Sequence, residues 1–110
     1  MPGTRRSLAV LILFALTAPA HAQTLDALEG KFTFNWLNHP ERQKCVRVTG
    51  PLFADFRSSG YRCDLNAKTN TSSGAKVRTC TATKGRKEYL IFDTMRACEG
   101  ERKDQAANAE

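Results

Sequence analysis

The sequence predicts a small α+β domain: an antiparallel sheet of three or four strands with two or three short helices, stapled by two disulfides. Three observations carry that expectation. KFTFNWL alternates Phe32, Phe34 and Trp36 with Thr33 and Asn35, the period of a strand with one apolar face. AKVRTCTAT and EYLIFDT flank KGRK and read as a hairpin. Cys45, Cys63, Cys80 and Cys98 form an even set in a short chain that begins with an export leader.

The leader is read first. Arg5 and Arg6 precede an apolar run of 11 residues, Leu8 to Ala18, and APA and AHA then offer cleavage after Ala20 or Ala22. This is the layout of a secretory signal peptide. A membrane span needs about 20 apolar residues, and neither this run nor any later one reaches that length. Cleavage is expected after Ala22, and no cysteine follows it to carry a lipid anchor. Residues 1–22 are therefore the expected signal peptide, and residues 23–110 a single domain with its last few residues frayed. The short Ala-rich leader and A-x-A ending point to the bacterial periplasm or the medium.

A domain of 88 residues has a marginal core, so staples matter. Each disulfide-closed loop contributes about 3 kcal/mol on the chain-entropy account. The gaps between cysteines are 17, 16 and 17 residues. No C-x2-C knuckle exists to aim two thiolates at one zinc, and no C-x-x-C pair exists for redox exchange. No metal or other cofactor is expected. Four cysteines allow three connectivities; the preferred reading pairs nearest neighbours, Cys45 with Cys63 and Cys80 with Cys98.

The remaining elements follow in order. Thr24 with Asp26 caps a short turn through Leu25 and Leu28 that ends at Gly30. NHPE is a loop, or a helix start with Pro40 at its first position. Cys45 to Phe56 is ambiguous: CVRVT suits a strand, whereas Cys45, Val48, Leu52 and Phe56 recur at helical spacing. Gly50 and Pro51 break that pattern, so a helix PLFADFRSS is expected to start at Pro51 and stop at Gly60. Tyr61 to Leu65 reads as a strand, and Asn66 to Ala75 as a polar loop that contains the Asn70-Thr71-Ser72 sequon. In the hairpin, Thr83 is expected opposite Glu88. TMRACEGERKDQAANAE is rich in helix formers, with Thr94 as cap.

Charge is unevenly spread. After cleavage 15 Lys and Arg face 11 Asp and Glu, a net +4. Residues 42–87 hold 11 basic side chains against Asp55 and Asp64 only, a local +9 between acidic flanks. Such a middle is a candidate attractor of nucleic acid or lipopolysaccharide. Its candidate anion-binding residues are Lys84, Arg86 and Lys87 at the hairpin turn, with Lys76 and Arg78.

Catalytic signals are sparse. No G-x-S-x-G, phosphate-cradling loop or H-E-x-x-H occurs. His39 is the sole histidine after cleavage, and Glu41 beside it is the one acid/base arrangement the sequence offers. The expected function is a non-catalytic binding protein of the cell envelope that recognises a protein partner, as inhibitor or accessory factor. Rigid stapled domains lose little entropy on binding. A binder of anionic polymer and a small hydrolase or nuclease centred on His39 are the alternatives.

Overall fold

Strand β1 (Phe32–Asn35) realises the aromatic alternation and lies inside the sheet. The computed structural model describes residues 24–109; the signal peptide expected over residues 1–22 lies outside them. The remaining strands are β2 (Val46–Arg47), β3 (Tyr61–Lys68), β4 (Val77–Ala82) and β5 (Glu88–Phe92). They form one antiparallel sheet in the order β2-β1-β5-β4-β3. The α+β class holds, but the sheet has five strands rather than three or four. The extra strand is the two-residue β2, which falls in the ambiguous CVRVT stretch and joins as an edge.

Two α-helices cover opposite faces of the sheet. Helix α1 (Gly50–Arg57) starts one residue before the expected Pro51, at Gly50 itself, whose φ is 55. It buries Phe53 and Phe56 in a cluster with Leu28, Val48, Cys80 and Ile91. Helix α2 (Met95–Asn108) opens at Thr94, whose hydroxyl accepts from the Ala97 amide at 3.1 Å. It closes the other face over Phe34, Leu90 and Phe92. Phe34 and Phe92 pair across β1 and β5 with centroids 6.0 Å apart. Burying each such side chain stabilises the fold by about 1.5–3 kcal/mol. Single 3-10 turns occupy Leu25–Leu28 and Pro40–Arg42. The first lacks the expected cap, since no Thr24 side-chain bond is made to the turn.

The disulfides are Cys45–Cys98 and Cys63–Cys80. This corrects the nearest-neighbour pairing, and sheet geometry gives the reason. Cys63 and Cys80 sit directly opposite each other on β3 and β4, with Cα atoms 4.0 Å apart, and pack on the α1 side. Cys45 and Cys98 lie in the α2-side cluster. Either expected pair would have to reach through the sheet.

Two boundaries also shift. Strand β3 continues to Lys68 through a register irregularity after Asp64, so the polar loop is shorter than its composition suggests. In the β4–β5 hairpin Thr81, not Thr83, opposes Glu88, and the Ala82 amide donates to the Lys87 carbonyl at 2.9 Å. Thr83 is instead drawn to Gly60, with its amide 2.9 Å from the Gly60 carbonyl. Cys80 consequently faces Tyr89, whereas the expected register of Thr83 against Glu88 would set it opposite Ile91. A displacement of two residues leaves every side chain on its own face.

Candidate functional site

The aromatic stripe of β1 divides as it runs. Phe34 is buried under α2, whereas Trp36 at the strand end is half-buried and borders a cleft of about 350 Å³. The cleft lies where α2 leaves β4 and β5 uncovered. Trp36, Val77 and Leu90 give it apolar surface; Lys68, Asn70, Thr79, Glu88, Glu101 and Gln105 give it polar groups. It combines the apolar walls and convergent polar groups of small-molecule sites.

Glu88 is fixed in place by neutral donors. The Trp36 indole donates to Oε1 at 2.8 Å and the Thr81 hydroxyl to Oε2 at 2.6 Å. Its own backbone amide donates to Asn35 Oδ1 at 3.0 Å, so strand and side chain are held together. Lys68, the cation at the cleft, is engaged by Asp64 at 2.9 Å. That contact lowers the Asp64 carboxyl and raises the Lys68 ammonium.

Glu101 sits at the back of the cleft with no exposed surface. Its Oε2 accepts from the Ser72 amide at 3.2 Å, the Ser72 hydroxyl at 2.9 Å and the Gln105 amide group at 2.8 Å. Its Oε1 accepts from the Ser73 amide at 2.8 Å. Burial pushes its carboxyl up, but these bonds outweigh burial and leave it below the ordinary carboxylate range. Glu101 therefore stays ionised and cannot serve as a general acid near neutrality. Its role in the fold is to pin the polar loop onto α2. The loop adds bonds of its own, from the Thr71 hydroxyl to the Ala75 carbonyl at 2.8 Å and from the Gly74 amide to the Thr71 carbonyl at 3.1 Å.

The candidate anion-binding residues and the His39–Glu41 pair are not brought to this cleft. Lys84, Arg86 and Lys87 are exposed around the β4–β5 turn, and Arg86 reaches the Leu37 carbonyl at 3.2 Å. Lys76 and Arg78 lie at the other end of β4, about 15–20 Å away by strand rise. Arg78 is further committed to the Leu65 carbonyl at 3.0 Å and to Asp93 at 3.4 Å. The basic residues thus form separate groups rather than one surface. His39 meets Glu41 at 3.3 Å on an exposed 3-10 turn and does not line the cleft. Its φ of 50 is the one positive value at a non-glycine residue among the described residues. Among those residues no group of three or more His, Cys, Asp or Glu is placed to hold a metal ion.

Glu88 and Glu101 went unmarked in the sequence. Glu101 does carry a faint signal, because it stands three residues after the buried Cys98 and so shares its helix face. Glu88 follows from β5 alternation once Leu90 and Phe92 are seen to face α2. No family model, curated protein or solved structure matches the chain.

Proposed function

We propose that the protein is an exported, non-catalytic binding module of the cell envelope that recognises a protein partner by strand addition at β3. One observation carries this reading. The Cα atoms of Cys63 and Cys80 are 4.0 Å apart, the short spacing of a cross-strand pair that exchanges no backbone hydrogen bonds. The Cys63 N–H and C=O therefore point away from β4, to the free edge. Among the described residues no strand pairs with that edge. Strand β3 has eight residues, and the disulfide locks it to β4. A pre-ordered edge offers main-chain bonds at little entropic cost.

Charges along the strand also support selective use. Arg62 and Lys68, together with the irregularity after Asp64, oppose pairing between copies of this chain. Export rests on the leader; the two disulfides are compatible with an oxidising compartment. No helix among the described residues is long and apolar enough to cross a membrane.

Capture from envelope extract tests the reading, with the oxidised mature chain as bait and washes at low and high salt. Strand addition predicts a discrete protein retained at high salt. It also predicts slower hydrogen exchange at the Cys63 amide in the complex. A retained protein that leaves that amide's exchange unchanged places recognition elsewhere. The second reading, a binder of anionic polymer, is favoured by the exposed Lys84, Arg86 and Lys87. It predicts retention of nucleic acid or lipopolysaccharide that is lost as salt rises.

A further inference from the structure

The cleft beside Trp36 shares Lys68 with the end of β3 but lies on the α2 face of the sheet rather than along the β3 edge. Its apolar surface comes from Trp36, Val77 and Leu90, and its polar groups are of opposite kinds. Glu88 only accepts: two neutral donors occupy part of its capacity, and a carboxylate offers about four lone-pair positions. Lys68 only donates, and its bond to Asp64 uses one of the three donors an ammonium carries. The Thr79 hydroxyl, half-buried on β4, lines the same cleft.

Charge limits what can enter. A free anion meets two carboxylates, Glu88 and Glu101, and Lys68 is already paired with Asp64, so no unpaired positive charge is there to hold it. Hydroxyl groups satisfy a carboxylate and an ammonium equally, because each both donates and accepts. An apolar wall with an indole suits the C–H face of a sugar ring. The volume of about 350 Å³ is at the small end of the roughly 300–1,000 Å³ range of ligand sites.

We propose that this cleft binds a neutral saccharide: the ring lies against Trp36, and its hydroxyls bridge Glu88, Thr79 and Lys68. This goes beyond strand addition at β3, and neither claim depends on the other.

Trp36 is the single tryptophan of the chain, so its fluorescence reports cleft occupancy directly. The oxidised mature protein is titrated to high millimolar with glucose, N-acetylglucosamine and their β-1,4-linked disaccharides. A saturable change in emission with at least one of them is expected. Glu88→Gln keeps an acceptor for the indole but loses the charge, and should weaken that response about tenfold. Thr79→Val preserves shape and strand preference; it should weaken the response while leaving the thermal transition in place. Three results overturn the proposal: no sugar alters emission of the folded protein; both variants respond as the parent does; or a short Arg-containing peptide saturates the signal where sugars do not. Partner capture through β3 is read by Cys63 exchange, so failure there leaves the titration result unaffected.

Discussion

The backbone amide of Ser73 donates to Glu101 Oε1 at 2.8 Å, joining the polar loop to a helix residue 28 positions later. Through this bond and its neighbours, one fully buried carboxylate organises the loop that closes the cleft. Glu101→Ala leaves the Ser72 and Ser73 amides without their acceptor. Hydrogen bonds to a charged group are worth about 1.5–3 kcal/mol, less where water can replace the acceptor, as it can at the exposed Ser72 and Ser73. The variant should unfold at lower urea, and protease should cut between Asn70 and Gly74 where the parent resists. Equal cleavage of the two proteins sinks this account of the loop.

The same carboxylate sets a pH dependence. Its folded pKa lies below its unfolded one, which is about 4.3. Its contribution is therefore complete above the unfolded value and is lost as pH falls through the folded value. Urea midpoints should stay level from neutrality down to about pH 5 and then fall. In Glu101→Gln the acid decline should be shallower. The exposed pairs Lys68–Asp64 and His39–Glu41 are screened by solvent and add little to the slope.

Disulfide connectivity gives a direct test. Peptide mapping of unreduced protein should yield Cys45 linked to Cys98 and Cys63 linked to Cys80. The first bridge spans 53 residues and the second 17. On the chain-entropy account they contribute about 4 and about 3 kcal/mol. Replacing Cys45 and Cys98 by Ser should lower the urea midpoint more than replacing Cys63 and Cys80. The reverse order would mean that native-state interactions, not loop length, dominate.

The hairpin turn supports a prediction about charge. Substituting Lys84, Arg86 and Lys87 by Gln removes three exposed cations and breaks only the surface bond of Arg86 to Leu37. Folding stability should change by less than about 0.5 kcal/mol. Any binding to DNA or lipopolysaccharide should weaken, and its salt dependence should flatten. Unchanged binding removes the turn as the contact.

Local features of the chain were legible because they need only local physics. The alternation of Phe32, Phe34 and Trp36 defines two faces of β1, and Thr94 caps α2 through a bond three residues away. Gly50 and Pro51 mark the start of α1, and the even cysteine count points to disulfides. Tertiary structure decided which cysteines meet, because that depends on the sheet face each occupies after folding. It also decided the hairpin register, since Thr83 answers to Gly60, which is 23 residues away. Glu101 illustrates the limit most clearly. In sequence it is one acidic residue of a polar helix; its burial is tolerable only because folding brings donors from Ser72 and Ser73 to the same point. Periodicity and capping act over a few residues and are written in the chain, whereas contacts across tens of residues arise when the layers pack.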